Sequence, residues 1–410
     1  MSKHQVDQSW ALYDEAIEHI PMGSQTHSKA PREALRGIEP CYLVKGKGCR
    51  VWDLDGNEYI DFRNGLGPIT LGYGIPAVDE ALRRRVDEGI IFSYPHPLEA
   101  ELAARLVQWI PCAEQVRFLK TGGEAMAATH RLARVHTQRD RLLTCGYHGW
   151  LNSQGAGVPA ATRATYTALP WGDISPYEEA FAKNGDAIAA VSVACAYAEA
   201  ELGGSFLPQL RELTLKHGAL LIFDEIVTGF RLDRAGAQAY FDVEPDMAVF
   251  AKGMSNGVPL SCYVGRQEVM ALAQVASISS TFGGDTLGLA AAVAVLDIYE
   301  SEDVVETLWG SGRQLQQGFN GHCKRLGLQA GLRGLAPMPQ WVFDAADAKR
   351  NSALFLRFNA ELLKRGVIVF SVCYPNFSHA KDDIDCALSA MAEALEVMAD
   401  DGLFATETAV

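Results

Sequence analysis

The hydrophobic positions of this chain follow two periods, which alternate over residues 77–300. Where apolar residues recur every three or four positions, the pattern predicts amphipathic helices, as over residues 78–89, 98–110 and 205–218. Short apolar runs between them predict buried strands. These runs are QVRFLK (115–120), RLLTCG (141–146), IAAVSVA (188–194), ALLIFD (219–224), MAVFAK (247–252) and CYVG (262–265). The alternation predicts an α/β domain with a mostly parallel sheet flanked by helices.

The two ends of the chain carry a different pattern. An amphipathic helix is predicted over residues 10–20, and residues 41–62 alternate as a β-meander with a hairpin turn at Asp55-Gly56. Beyond residue 303 the predicted elements are a helix, weak strands over 338–344 and 367–372, and a closing helix over 382–398. We therefore expect both ends to build a smaller α+β domain. The expected segments are an N-terminal segment (1–64), the large α/β domain (65–300) and a C-terminal α+β domain (301–410).

Composition and charge narrow the possible classes of protein. Hydrophobic residues make up 48% of the 410 residues and charged residues 21%, which excludes an intrinsically disordered chain. A net charge of −14 argues against nucleic acid or an anionic membrane as a partner. The nine cysteines form no CxxC pair, so neither a disulfide framework nor a zinc site is indicated. The N-terminus lacks a secretory signal, and we expect a cytoplasmic protein without a metal or a membrane span.

Candidate functional residues stand directly after four of the predicted strands, at the edge where open α/β sheets bind ligands. Gly122 and Gly123 follow the first strand and open a helix, so their N–H groups could bind a phosphate. A plain tight turn explains the same glycines equally simply. Tyr147 follows the second strand and could stack on a planar ring, or pack as an ordinary tyrosine.

Asp224 and Lys252 end two further apolar strands. A carboxylate at the position of Asp224 could hold a protonated ring nitrogen, with metal ligation as the rival interpretation. Burial would make Lys252 a Schiff-base nucleophile, unless its side chain extends to solvent. Together, a phosphate cradle, a stacking aromatic ring, a carboxylate and an amine match pyridoxal 5′-phosphate (PLP).

Several motifs resemble the class III, fold-type I PLP-dependent aminotransferases, and most closely the glutamate-1-semialdehyde 2,1-aminomutase-like group. The resemblance covers residues 15–395. Its most specific parts are DEIVTGFR, which begins at Asp224, and the lysine 28 residues later. The other segments are 48–62, 71–78, 116–134, 146–150, 251–266, 280–292 and 378–385.

The resemblance implies a role for individual residues around the cofactor ring. By this resemblance Lys252 is the Schiff-base lysine and Asp224 the partner of the pyridine nitrogen. Val227 and Tyr147 are then expected on the two faces of the ring. Lys252, Asp224 and Tyr147 are thus the expected catalytic residues.

The resemblance also implies that two subunits share each site. Gly122 and Gly123 are expected to bind the cofactor phosphate, and Thr281 is expected to reach the same phosphate from the second subunit of a homodimer. Each active site of such a dimer contains residues from both chains.

The chain departs from the family pattern at positions near the substrate. The usual SGTEA segment is here TGGEA (121–125), which removes one hydroxyl from the phosphate site. Cys195 follows Ala194 where relatives commonly have Glu-Pro. In the early loop, Thr26, His27 and Lys29 are the expected substrate residues, with Lys29 near the place of an arginine in the aminomutase. The usual amino-acid specificity is therefore not expected.

These features predict an aminotransferase that moves an amino group from a small-molecule donor to an aldehyde or ketone acceptor, such as an aldehyde of an aminosugar. The alternatives on the same fold are glutamate-1-semialdehyde 2,1-aminomutase and a PLP-dependent racemase or epimerase. A PLP-fold protein that only binds its partners is a further alternative, which Lys252 and Asp224 argue against.

Overall fold

The chain forms two units, each with its own sheet, in a computed structural model that describes residues 4–151 and 155–404. One unit is Pro76–Val305, and the other combines Met1–Ile75 with Glu306–Val410. The unit boundaries fall after residues 75 and 305, where the sequence analysis expected them after 64 and 300.

The strands and helices follow in chain order. The strands are β1 (Leu43–Lys47), β2 (Arg50–Asp53), β3 (Glu58–Asp61), β4 (Gln115–Leu119), β5 (Arg141–Cys145), β6 (Tyr166–Ala168), β7 (Ile188–Ala194), β8 (Leu220–Asp224), β9 (Met247–Phe250), β10 (Ser261–Gly265), β11 (Gly331–Arg333), β12 (Gln340–Val342) and β13 (Val367–Ile368). The helices are α1 (Asp7–Ala16), α2 (Pro76–Glu88), α3 (Pro97–Trp109), α4 (Gly122–Thr137), α5 (Ala160–Arg163), α6 (Ser175–Asn184), α7 (Gly203–His217), α8 (Ala237–Tyr240), α9 (Gln267–Met270), α10 (Thr286–Ser301), α11 (Val304–Arg325), α12 (Ala348–Leu363) and α13 (Lys381–Asp400).

The sheet of the first unit confirms the predicted α/β fold. Its strand order is β4-β10-β9-β8-β7-β5-β6. Only β10 is antiparallel to its neighbours in this described sheet, so the carboxyl ends of β4, β5, β8 and β9 share one edge. Every residue of β8 and β9 is buried, as expected for strands covered on both faces. The segments that follow these four strands are thereby brought together.

The start of α4 is fixed by a capping box. The hydroxyl of Thr121 accepts a hydrogen bond from the N–H of Glu124, and the Glu124 carboxylate accepts one from the N–H of Thr121 at 2.8 Å. Behind it, Ala125 and Leu132 pack into the core against the sheet. The helix therefore begins at Gly122, directly after β4.

The other unit is organised by the predicted meander. The strands β1, β2 and β3 are antiparallel, and β13 joins β3 in parallel. Its core contains Phe319, whose ring centroid lies 4.9 Å from that of Trp341 and 5.5 Å from that of Phe358. Among the described residues of both units, no helix has the length and apolarity needed to cross a bilayer.

Two elements of this unit differ from the sequence-based expectation. The first helix covers Asp7–Ala16 instead of residues 10–20, because the carboxylate of Asp55 accepts hydrogen bonds from the N–H groups of Gln8 and Ser9 at 2.7 and 2.9 Å. Helix α12 was not predicted between the two weak strands. Its buried face includes Leu354, Phe358 and Leu362, which are four residues apart. Polar and charged residues between them make this apolar stripe hard to recognise in the sequence.

Candidate active site

A cavity of about 840 Å³ opens beside the segments that follow β4, β5, β7, β8 and β9. It brings together seven sequence positions that were singled out as functional or unusual. These are Gly122, Gly123, Tyr147, Cys195, Asp224, Val227 and Lys252. The convergence follows from the topology, since parallel strands place their carboxyl ends at one edge of the sheet.

The loop after β4 offers an anion site. Gly122 and Gly123 are the first residues of α4, where backbone N–H groups have no partner within the helix and the helix dipole favours negative charge. Gly149 approaches this turn closely, and a Cβ atom on Gly149 would lie 2.7 Å from the Cα atom of Gly123. The φ angle of Gly149 is +85°, a conformation that also favours glycine. The turn is therefore shaped by backbone packing.

Asp224 is buried at the end of β8 and is held by two partners. Its Oδ2 atom lies 2.8 Å from Nδ1 of His148, and its Oδ1 atom accepts a hydrogen bond from the N–H of Ile226 at 3.1 Å. Nε2 of His148 lies 3.2 Å from the main-chain oxygen of Ser192, which can only accept. Nε2 is therefore placed to donate to Ser192, and Nδ1 faces the Asp224 carboxylate.

Sequence reasoning overlooked His148 as a functional residue. Its neighbour Tyr147 was chosen for its aromatic ring, whereas His148 lies 76 positions before the aspartate that it contacts. The GYHGW segment at the end of a strand was the available signal, because an imidazole there can reach a carboxylate on a neighbouring strand.

Lys252 follows β9 in a left-handed conformation, with a φ angle of 47°. Burial lowers the pKa of the Lys252 ammonium group to about 8, with a smaller contribution from the positive charge of Arg231, while the carboxylate of Asp224 acts in the opposite direction. A substantial fraction of this amine is therefore neutral near pH 8, as a nucleophile requires.

The two adjacent carboxylates after β8 have different surroundings. Asp224 lines the cavity, whereas the fully buried Glu225 accepts hydrogen bonds from the N–H groups of Ala237 and Gln238 at 2.7 and 2.9 Å. Burial raises the pKa of Glu225 to about 7. The roles separate accordingly: Glu225 secures the segment after β8, and Asp224 faces the cavity.

The remaining walls are mainly aromatic and uncharged. Trp171 is fixed by a hydrogen bond from its Nε1 atom to the carbonyl oxygen of Glu199 at 2.9 Å, and Trp150 and Tyr197 also line the cavity. Burial raises the pKa of the Cys195 thiol, so that it stays protonated at neutral pH. Among the described lining residues, Lys252 carries the only cationic side chain.

Other predicted contacts lie outside this cavity lining or remain untested. Tyr147 is 76% exposed and Val227 lines the cavity, but their ring-stacking roles stay predictions. Thr281 begins the turn Thr281–Gly284, and the lining residues that the structure describes do not include it.

The expected substrate residues of the early loop belong to the other unit. Thr26 precedes the short turn His27–Lys29, which contains both His27 and Lys29. Their contact with a substrate also stays a prediction. The described residues contain no cluster of acidic, histidine and cysteine side chains that could hold a metal ion.

Comparison with known proteins gives a consistent result. A family model described as aminotransferase class-III matches residues 34–163 and 174–395. The chain is 33% identical to glutamate-1-semialdehyde 2,1-aminomutase of Syntrophobacter fumaroxidans, over 95% of this chain and 97% of that protein. It is 34% identical to 2'-deamino-2'-hydroxyneamine transaminase of Streptomyces kanamyceticus, over 88% and 93%. The solved PLP internal aldimine form of the Sphingopyxis sp. MTA144 FumI protein is similar with a TM-score of 0.88 and 28% identity, covering 97% of both chains.

The close approach of Gly149 generates a first prediction. The variant Gly149→Ala should weaken PLP binding about tenfold or more, because its methyl group meets backbone atoms that cannot move without shifting the anion site. The matched control is Gly157→Ala, since Gly157 has a φ angle of +88° but nothing within 4 Å of an added Cβ atom. Fluorescence titration of both apo variants with PLP measures the effect, and equal dissociation constants would contradict the assignment.

The lowered pKa of Lys252 generates a second prediction. Labelling of the apo protein with a small amine-reactive reagent should rise with pH and reach half its maximal rate near pH 8 at Lys252. An ordinary lysine, with a pKa of about 10.5, is almost fully protonated there. Peptide mass spectrometry follows both Lys252 and the exposed Lys216 in one sample. Identical pH profiles for the two lysines would disprove the environment described for Lys252.

Proposed function

The chain belongs to the class III aminotransferase family, and from this premise we propose that it transfers an amino group from an amine donor to an aldehyde or ketone acceptor with PLP as its cofactor. The observation that carries the proposal is that Gly122, Gly123, Asp224 and Lys252 all line the same cavity. Each supplies a different group that this cofactor needs.

The residues present fit the cofactor. Gly122 and Gly123 would hold its phosphate at the start of α4, where N–H groups and the helix dipole favour an anion. Asp224 would hold the pyridine nitrogen, and Lys252 provides the amine for the aldehyde. When bound, PLP supplies an aldehyde that condenses with amines and a ring that withdraws electrons from the neighbouring carbon.

The chain's own side chains then handle protons and orientation. Asp224 would place its carboxylate against the ring nitrogen of bound PLP, and His148 orients that carboxylate through the 2.8 Å contact. Lys252 would be the base that takes a proton from the substrate carbon, holds it on Nζ and delivers it to the second reacting carbon. Its lowered pKa suits this role near pH 8.

We propose an aldehyde of an aminosugar-like compound as the acceptor. The relative from Streptomyces kanamyceticus, named for its neamine substrate, supports this, as do the flat walls of Trp150 and Trp171. In the described lining, no cationic side chain besides Lys252 is available for a substrate carboxylate. The relative from Syntrophobacter fumaroxidans favours the second candidate, the 2,1-aminomutase reaction, in which one substrate is isomerised.

Turnover of paired and single substrates separates the two candidates. A transaminase given a donor alone should release about one equivalent of oxo product per site, and should resume only when an acceptor is added. An aminomutase should instead convert glutamate 1-semialdehyde continuously without a second substrate. Chromatography of the products with a panel of amine donors and of aminosugar aldehydes decides between them, and release of neither product would reject both.

Substitutions at the two central residues give a third prediction. Lys252→Ala should abolish turnover, while the control Lys216→Ala on an exposed helix end should leave it unchanged. Asp224→Asn keeps the shape but removes the charge, and should lower kcat roughly a hundredfold. Steady-state kinetics measures both effects. Full activity of either variant at the cavity would overturn the role assigned to that residue.

We also propose a homodimer in which Thr281 of each chain serves the site of its partner. The side chains of Ile90 and Phe92 are 39% and 49% exposed. Their segment contacts the start of α10, where the N–H of Thr286 donates a hydrogen bond to the Ile90 carbonyl oxygen at 2.8 Å. Phe282, next to Thr281, is 60% exposed. Apolar side chains grouped on a surface are typical of a protein interface.

Subunit exchange between two inactive variants gives a fourth prediction. In a heterodimer of Lys252→Ala and Thr281→Ala chains, one site carries both substitutions and the other carries neither. Random exchange should therefore restore about a quarter of the wild-type activity. Mass spectrometry of the intact dimer establishes the exchange. No recovery after proven exchange would exclude the shared site.

The cysteines support a proposal for the compartment. All nine lie outside disulfides, and six of them are buried. Free thiols are typical of reducing compartments, and we place the protein in the cytoplasm on that basis.

A further inference from the structure

His130 is a buried residue next to the site for which the proposed reaction provides no role. It lies in α4, is 3% exposed, and its ring centroid is 6.1 Å from that of His148, with the two planes at 85°. Tyr166 lies on another side, with its ring centroid 5.8 Å away. Within the described ranges of the chain, neither ring nitrogen of His130 has a hydrogen-bond partner.

Ser192 provides a second, independent observation in the same region. It is fully buried, and its hydroxyl also has no partner among the residues described. Side chains alternate along β7, so Ser192 lies on the same face as Ala190, which packs in the core beneath α4. The main-chain oxygen of Ser192 is the group that holds Nε2 of His148.

Unpaired polar atoms in a protein interior are costly. Native proteins commonly satisfy such atoms with buried water. Burial lowers the pKa of His130 to about 3, and the nearby His148 and Arg134 act in the same direction. His130 is therefore neutral, with one nitrogen that donates and one that accepts.

We propose that His130 is a positioning residue for the reaction: together with the Ser192 hydroxyl it binds a buried water molecule and holds the His148 ring in the orientation that presents Nδ1 to Asp224. This inference rests on the role proposed above for Asp224. The rings of His130 and His148 meet edge to face. The proposed water would link His130 to Ser192, whose carbonyl oxygen holds Nε2 of His148. Asp224 thereby keeps its carboxylate toward the cavity.

Turnover, measured beside stability, separates this role from a purely structural one. A leucine at position 130 would fill a similar volume without unpaired nitrogens, so His130→Leu should leave the apo protein as stable as the wild type or more stable. A structural histidine predicts that gain with unchanged chemistry. A positioning residue predicts slower turnover as well, because the His148 ring then lacks its contact with His130.

The experiment compares His130→Leu with wild type and with the control His217→Leu, a half-buried histidine whose ring stacks on Phe181 instead. Thermal unfolding is measured on the apo proteins, and kcat, KM and the pH titration of cofactor absorbance on the PLP-loaded proteins. We expect about a tenfold lower kcat, an unchanged KM and a shifted absorbance titration for His130→Leu only. An absorbance titration and kcat identical to wild type would overturn the proposal.

Two further variants cover a failure of His130→Leu to fold. His130→Gln keeps a donor and an acceptor and should retain more of kcat than the leucine variant. Ser192→Ala removes the hydroxyl but keeps the carbonyl, and should shift the absorbance titration in the same direction by less. Wild-type titrations in both variants would overturn the proposal. If the wild-type protein binds PLP but transfers no amino group, the proposed function is wrong. The comparison of absorbance titrations then still tests the role of His130.

Discussion

The burial of the Asp224 carboxylate at the end of an entirely buried strand is the constraint on which the site depends. A charge in such a place is stable only with close partners, and here the imidazole of His148 and the N–H of Ile226 provide them. The same burial lowers the pKa of the Lys252 amine, and Asp224 limits that effect. The same buried surroundings therefore act on both the Asp224 carboxylate and the Lys252 amine.

The turn after β4, which we propose as the phosphate site, depends on backbone geometry. The capping box between Thr121 and Glu124 sets the first turn of α4, and Gly149 packs directly on Gly123. Directly before this turn, Lys120 follows β4 and forms an ion pair with Asp285. The carboxylate of Asp285 also caps α10, because it accepts hydrogen bonds from the N–H groups of Leu287 and Gly288. The loop after β4 is therefore tied both to the sheet edge and to the helix that follows Thr281.

Neighbouring residues acquire separate roles because their surroundings differ. Asp224 and Glu225 are adjacent carboxylates, yet one faces the cavity and the other is held by the backbone of α8. Cys195 contributes a protonated thiol to the cavity wall. The other described walls of the cavity are mainly aromatic and uncharged.

Patterns along the chain were enough to predict the fold class and several residues that line the cavity. Apolar runs marked the buried strands, and polar residues directly after them had to meet because parallel strands end at one edge. Gly122, Gly123, Asp224 and Lys252 were found in this way. The contact of His148 with Asp224 and the hydrogen bonds of Asp55 to the first helix emerge only in the folded chain. These contacts join residues 76 and 46 or 47 positions apart, where local pattern carries no signal, and they depend on side-chain packing that periodicity does not encode.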